Sequence, residues 1–166
     1  MDDNNGVRAL AHQVATLAID RGVTLATAES CTTGLVAHLL GRTAGVSAVF
    51  LGGIVAYANA AKRDLLGVPA ALLARHGAVS EPVARSMALG ARERFGAALA
   101  VSTTGIAGPG GGSSEKPVGL VYIAISSGEG ERCRRFQFRG DREDTMLAAA
   151  VEALAMLREA LLSPIA

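Results

Sequence analysis

The sequence predicts an α/β fold, a three-layer α/β/α sandwich on a mixed, mostly parallel sheet with an antiparallel edge. Three observations predict it. Apolar segments of strand length alternate with segments of helical periodicity through the first two thirds of the chain. The last two strand-like segments are joined by the short stretch SGEGE, which is typical of a hairpin. The chain has 166 residues, 50% of them hydrophobic, so we expect one core and a single domain over 1–166.

Hydrophobic periodicity and the residues at helix ends predict the helices and strands in order. Apolar or alternating segments predict five strands, at 23–28, 47–59, 97–105, 118–126 and 132–139. Helical spacing predicts six helices, at 7–21, 33–41, 59–66, 68–77, 80–95 and 141–162. Asn59, Ser80 and Asp141 are the expected helix starts. The pair Gly52-Gly53 predicts a weakened or bulged strand.

Composition excludes several classes of function. The net charge is +1 without a basic tract, so nothing predicts binding to nucleic acid or a membrane surface. No apolar run reaches about 18 residues, and the polar start MDDNNG is no secretory signal. Two cysteines, Cys31 and Cys133, cannot build a disulfide framework or a metal knuckle. We therefore expect a reduced, cytoplasmic protein without a metal site.

The octapeptide TAESCTTG, 27–34, places a carboxylate, a thiol and several hydroxyls between a predicted strand and a predicted helix. Ser30 has two interpretations. Its hydroxyl either caps the helix, or it is a nucleophile at a strand-to-helix turn whose free N–H groups hold an oxyanion. Cys31 is the rival nucleophile because a helix N-terminus lowers a thiol pKa, although a small cysteine is more often simply buried.

A serine nucleophile needs a base, and lysine is the candidate. The histidines all fall on predicted helices, away from strand ends, which does not favour a Ser-His-Asp triad: His12, His38 and His76. Lys62 follows the second strand among alanines, an apolar setting that keeps an amine neutral. The alternative is a solvated surface lysine. Tyr57, at the end of the same strand, either lies at an edge or hydrogen-bonds the substrate or the base.

A glycine-rich loop, 105–119, leaves one predicted strand and enters another. Its backbone N–H groups suit a phosphate or carboxylate, and open α/β sheets bind ligands at such strand ends. The loop lacks the Gly-Lys-Ser/Thr signature of a P-loop. The preceding hydroxyl residues are expected to face the same region: Ser102, Thr103 and Thr104. Arg142 opens the last helix, where a positive charge is unfavourable, which indicates an anionic partner or a solvated side chain.

These segments resemble, in order and spacing, the C-terminal-domain family of the competence/damage-inducible protein CinA. The motifs are TAESCTTG, GGIVAYANAAKRDLLGV, HGAVSEPVA, TTGIAGPGGGSSEKPVGLVY and FRGDRE, and the resemblance covers residues 7–162. Stand-alone members of the family are nicotinamide-mononucleotide (NMN) deamidases. No CinA-type N-terminal domain precedes the motifs, so we expect the short, deamidase-only form.

The resemblance implies an amidohydrolase that converts NMN and water to nicotinic acid mononucleotide and ammonia, in pyridine-nucleotide salvage and without a cofactor. It implies a serine nucleophile at Ser30, a lysine partner at Lys62 and a catalytic contribution from Tyr57. It also suggests a homo-oligomer. The residues expected to bind substrate are Thr32, Thr33, Gly34, Thr104, Gly105, Gly108, Gly110, Gly111 and Arg142.

The chain departs from the family pattern at two positions. The family motif continues Cys-Thr-Gly-Gly, whereas this chain has Thr33, whose Cβ stands where glycine lets a substrate approach the backbone. The family loop reads Gly-Pro-Asp-Gly-Gly, whereas this chain has Gly110 and lacks that carboxylate. A second class of function therefore stays open, a nucleotide-binding or sensor domain without catalysis.

Overall fold

The computed structural model describes residues 3–163 and shows a five-stranded sheet with helices on both faces. The ends of the predicted 1–166 domain, residues 1–2 and 164–166, lie outside the described residues. The strands are β1 (Leu25–Glu29), β2 (Phe50–Val55), β3 (Leu99–Gly105), β4 (Leu120–Ser127) and β5 (Gly130–Gln137). The helices are α1 (Asp3–Arg21), α2 (Leu35–Gly41), α3 (Asn59–Leu66), α4 (Ala70–His76), α5 (Glu81–Phe95) and α6 (Arg142–Leu162).

The sheet is mixed, with strand order β2-β1-β3-β4-β5. The strands β2, β1 and β3 are parallel, whereas β3–β4 and β4–β5 pair in antiparallel fashion. Only β4 therefore runs against the other strands, and β5 forms the predicted antiparallel edge after a two-residue turn. The predicted α/β fold is confirmed.

Two apolar layers hold the helices on the sheet. All of β1 is buried, as expected for a central strand covered on both faces. Successive side chains alternate between the layers. Leu25 and Leu99 join a large cluster with α1, α2 and α6, whereas Ala26 and Ala100 join a smaller one with α3 and α5. The small residues on the second face let α5 lie close to the sheet.

The second strand is shorter than predicted, because a 3₁₀ turn at Val46–Ala48 precedes it. Its irregularity also lies one residue earlier than expected, since the register shifts at Leu51. The following glycines have packing reasons. A Cβ at Gly52 would meet the ring of Phe95, and a Cβ at Gly53 would overlap the hydroxyl of Thr27.

The predicted helix starts differ in how they are capped. Asp141 caps α6 through a capping box, accepting a hydrogen bond from the N–H of Asp144 at 2.9 Å. Ser80 occupies the cap position of α5, but its hydroxyl donates to the carbonyl of Gly77. The expected cap at Asn59 is wrong, because Asn59 is already helical and no side chain caps α3.

Within residues 3–163, no helix combines the length and the apolar composition that crossing a membrane requires.

Candidate active site

The carboxyl ends of β1, β2 and β3 meet at one edge of the sheet, and Ser30 lies at their centre. The backbone N–H of Ser30 donates to the carbonyl of Thr103 at 2.9 Å, just past the end of β1. On the other side, Ala56 N–H donates to the carbonyl of Glu29 at 2.8 Å. Parallel strands bring their exits together in this way, and open α/β sheets bind ligands there.

Ser30 is not a helix cap. The following helix, α2, begins five residues later, and Gly34 occupies its cap position without a side-chain hydrogen bond. The Ser30 hydroxyl oxygen instead lies 2.9 Å from the Lys62 amine. The capping interpretation is therefore wrong, and the hydroxyl is paired with a group that can accept its proton.

Lys62 is buried, with 1% of its surface exposed, so the solvated-surface alternative is wrong. It lies in the first half of α3, and helical side chains lean toward the N-terminus of their helix. The amine therefore reaches back to the carbonyls of Ala56 and Tyr57, each at 2.9 Å. No carboxylate among residues 5–163 lies within 4.0 Å of it. Burial lowers the pKa of Lys62 below its ordinary value of 10.5.

The three contacts of the amine can be made in either of its protonation states. A neutral amine has two N–H groups and one lone pair. When the N–H groups donate to the carbonyls of Ala56 and Tyr57, the lone pair is left for the hydroxyl proton of Ser30. An ammonium group in the same place donates one N–H to each of the three oxygens, including that of Ser30, so only the neutral form can take the serine proton.

Cys31, the rival nucleophile, is 3% exposed. Burial raises the pKa of its thiol to about 12, against smaller lowering effects that include a hydrogen bond with Thr103. The thiolate is the reactive form of cysteine, so burial keeps this residue inert at neutral pH. The geometry therefore favours Ser30 over Cys31.

The start of α2 cannot hold an oxyanion, contrary to expectation. The N–H groups of Gly34, Val36 and Ala37 all donate to the carboxylate of Glu29. In the turn itself, the N–H groups of Ser30 and Thr33 are also bonded. Within the described part of the chain, two N–H groups of the turn have no acceptor, and they belong to Cys31 and Thr32.

The side chain of Thr32 faces the interior, because the residue is fully buried. Its hydroxyl donates to Glu29 at 2.6 Å and lies 2.7 Å from the hydroxyl of Thr103. Its side chain is therefore a structural bridge, and the residue has no exposed surface for a ligand. Glu29 was not among the residues expected in the site. The sequence feature that could have indicated its role is a carboxylate at the last position of a buried strand.

Thr33 is exposed and has φ +49°, the one positive φ outside glycine in residues 3–163. This left-handed conformation is strained for a β-branched residue and costs about 1–2 kcal/mol. The position therefore needs the backbone freedom that the family's glycine supplies.

Replacing Thr33 with glycine is expected to raise the free energy of unfolding by about 1 kcal/mol, because glycine adopts this backbone without strain. Urea denaturation measures the change. Thr33→Ala is the matched control, since alanine removes the hydroxyl and methyl but keeps the Cβ. Equal stabilisation by alanine would show that the backbone is not the cause.

Arg142 connects the glycine-rich loop to the second strand's exit. Its guanidinium donates to the carbonyl of Gly108 at 2.7 Å and to the hydroxyl of Tyr57 at 2.9 Å. Tyr57 is 56% exposed, while its own carbonyl binds Lys62. The loop, Tyr57 and the amine are therefore joined by consecutive contacts. At Gly110 a Cβ would meet nothing within 4 Å, so the missing family carboxylate would face open space.

The three hydroxyl residues at the end of β3 do not face one region, because side chains alternate along a strand. Ser102 donates to the carbonyl of Ala84, and Thr104 donates to the carbonyl of Ala78 at 2.8 Å. Thr103 points the other way, toward Thr32. The Thr104 hydroxyl thus forms no hydrogen bond with Ser30 or Lys62.

Gly105 and Gly111, two further glycines of the predicted site, have roles in backbone geometry. A Cβ at Gly105 would come within 2.7 Å of the carbonyl oxygen of Leu120, so this glycine lets β4 approach β3. Gly111 has φ +84°, which glycine adopts without strain.

Comparison with known proteins places these features in a family. The model of the CinA C-terminal domain matches residues 7–161. CinA-like proteins of Anaeromyxobacter dehalogenans (strain 2CP-C) and Geotalea daltonii are 58% and 54% identical over 141 and 150 residues, which are 85% and 90% of this chain. The chain spans about a third of the length of these relatives, 35% and 36%.

Solved structures match over nearly their whole length. The competence/damage inducible protein CihA from Agrobacterium tumefaciens is 45% identical with a TM-score of 0.91, covering 95% of this chain and 96% of that one. A CinA superfamily protein from Klebsiella pneumoniae 700603 is 38% identical with a TM-score of 0.90, covering 93% and 97%. By sequence, fold and motif order, this chain belongs to the CinA C-terminal domain family.

Proposed function

We propose that this chain is an NMN deamidase, an amidohydrolase that uses a Ser-Lys dyad. The observation that carries the proposal is the 2.9 Å contact between the Ser30 hydroxyl and the buried Lys62 amine. A desolvated lysine is an established activator of hydroxyl nucleophiles, and amide hydrolysis is a reaction that such a pair performs. The choice of NMN rests on the motif resemblance of the chain to stand-alone family members.

In the first step, neutral Lys62 takes the proton of Ser30 while the serine oxygen bonds to the carboxamide carbon. The carbonyl oxygen becomes an oxyanion, which the free N–H group of Cys31 stabilises. One such donor lowers the activation free energy by about 3–4 kcal/mol. The protonated Lys62 then gives its proton to the amide nitrogen, and the C–N bond breaks to release ammonia.

In the second step, water hydrolyses the acyl-enzyme. Lys62, neutral again, removes a proton from water as the water oxygen bonds to the acyl carbon. The bond to Ser30 breaks, the serine regains a proton from Lys62, and nicotinic acid mononucleotide leaves. Each step uses Lys62 once as base and once as acid, so the cycle needs no cofactor.

Phosphate recognition is assigned to the glycine-rich loop and Arg142. The loop offers backbone N–H groups, and the guanidinium carries donors beyond the two that bind Gly108 and Tyr57. Guanidinium groups bind phosphate in bidentate fashion, which fits a mononucleotide substrate.

The test is an ammonia-release assay on NMN, nicotinamide riboside and nicotinamide. We expect hydrolysis of NMN, with nicotinic acid mononucleotide as the product, and much slower hydrolysis of the two compounds that lack the phosphate. Calorimetric binding of NMN without ammonia release would instead favour the non-catalytic nucleotide-binding domain.

Replacing Arg142 with glutamine is expected to raise KM for NMN by about 10–100-fold, since a charge-assisted contact to phosphate is worth about 1.5–3 kcal/mol. The kcat value is expected to change less, because Arg142 does not contact the dyad. Arg158→Gln, at the other end of the same helix, is the matched control. An unchanged KM in Arg142→Gln would remove Arg142 from the binding site.

A further inference from the structure

Glu29 is a buried carboxylate next to the nucleophile in the chain. It is 1% exposed, and no cation within residues 3–163 lies within 4.0 Å of it. A buried charge without a partner is unfavourable by several kcal/mol, so its compensation must come from hydrogen bonds. The mechanism described above gives Glu29 no role.

The carboxylate accepts four hydrogen bonds from the chain that follows it. One oxygen accepts the hydroxyl of Thr32 and the N–H groups of Gly34 and Val36, at 2.6, 3.0 and 3.1 Å. The other oxygen accepts the N–H of Ala37 at 2.8 Å. These N–H groups form the start of α2, so Glu29 caps this helix from six residues before its first residue.

The carboxylate also sets the direction of a hydrogen-bond chain. Because it only accepts, the Thr32 hydroxyl donates to it, and the Thr103 hydroxyl donates in turn to Thr32. The carbonyl of Thr103 accepts the N–H of Ser30 at 2.9 Å. Glu29 thus holds the far end of the turn directly and the near end through Thr32 and Thr103.

We propose that Glu29 is a positioning residue for the nucleophile, an inference that rests on the proposed function. By holding both ends of the turn, it fixes the Ser30 hydroxyl against Lys62. It also occupies the N–H groups of α2, so that the N–H of Cys31 is the one left to face the reacting carbonyl.

The role requires a carboxylate and not merely a side chain of this shape. An amide at this position has one accepting oxygen and an NH₂ group that donates. In either orientation, the NH₂ group faces at least one donor that the carboxylate accepts. Glu29→Gln therefore keeps the volume and breaks the network. Thr32→Val removes the bridging hydroxyl, whereas Thr32→Ser keeps it.

The experiment measures the nucleophile and the reaction separately in all three variants. The rate of Ser30 labelling by a fluorophosphonate reports the alignment of the hydroxyl without NMN. Steady-state ammonia release gives kcat and KM. Val14→Ala, a buried change in α1, is the control for a general loss of stability. Circular dichroism establishes that each variant is folded.

We expect Glu29→Gln and Thr32→Val to lower both the labelling rate and kcat by at least 10-fold, with KM within 3-fold of the wild-type value. Thr32→Ser is expected to restore both rates to within 2-fold, and Val14→Ala to leave both unchanged. Wild-type labelling and kcat in folded Glu29→Gln would overturn the proposal, as would an equal loss in Val14→Ala.

The two proposals can fail separately. If the wild-type chain labels at Ser30 but releases no ammonia from NMN, the proposed function fails and the labelling rates alone decide the role of Glu29. If Ser30 in the wild-type chain does not label, Ser30 is not an activated nucleophile, and the positioning role is overturned with it.

Discussion

Replacing Lys62 with methionine is expected to lower kcat/KM for ammonia release from NMN by about 10²–10⁴-fold, the contribution of a general base. Methionine matches the apolar stem of lysine but cannot take the proton of Ser30. The fold is expected to survive, because the change removes the cost of burying an amine. Initial rates with purified Lys62→Met and wild-type protein measure the effect.

The lowered pKa of Lys62 determines how this rate is expected to depend on pH. The base works in its neutral form, so the wild-type rate is expected to rise with pH as Lys62 loses its proton, and to level off above its pKa. The midpoint lies below 10.5, because burial lowers the pKa. Lys62→Met is expected to lose this step, and so is Lys62→Arg, which keeps a positive charge. A step of unchanged midpoint in Lys62→Met would exclude Lys62 as the base.

Replacing Ser30 with alanine is expected to have the largest effect, a loss of about 10⁴-fold or more in kcat, as for other enzymes that lose their nucleophile. The covalent route closes, because alanine has no oxygen to bond to the carboxamide carbon. Binding of NMN, measured by calorimetry, is expected to stay within a few-fold of the wild-type value. Ser86→Ala, a serine change on α5 away from the dyad, is the matched control. Turnover by Ser30→Ala near the wild-type rate would contradict a serine mechanism.

The order of helices and strands was predictable because the apolar pattern reports which face of each element is buried. The position of β1 and the start of α6 were predictable because each has a local cause. For β1 it is a buried run of residues, and for α6 it is the Asp141 capping box. The limits of β2 could not be predicted, because no local signal marks the 3₁₀ turn or the register shift, and Gly52 packs against the distant ring of Phe95. The cap of α2 likewise comes from Glu29, and no local capping pattern shows it.

The dyad was predictable because the family resemblance selects Ser30 and Lys62, and parallel strands bring together the exits after which both residues lie. Burial of Lys62 depends on how α3 leans against the sheet, so residue type alone favoured a surface lysine. The prediction for the hydroxyls of β3 was wrong. Ser102 bonds to α5 and Thr104 to the segment before it, whereas Thr103 faces the turn. The role of Glu29 depends on contacts that combine three segments of the chain.

The most direct test of the account is the pKa of the Lys62 amine in the folded protein, measured by NMR on a lysine-labelled sample. The chain contains only two lysines, Lys62 and Lys116, so two signals are expected, and Lys116→Arg assigns them. We predict that Lys62 titrates below 10.5 and that the pH–rate profile of ammonia release has the same midpoint. A Lys62 amine that stays charged up to 10.5 or above would contradict the claim that a neutral lysine activates Ser30.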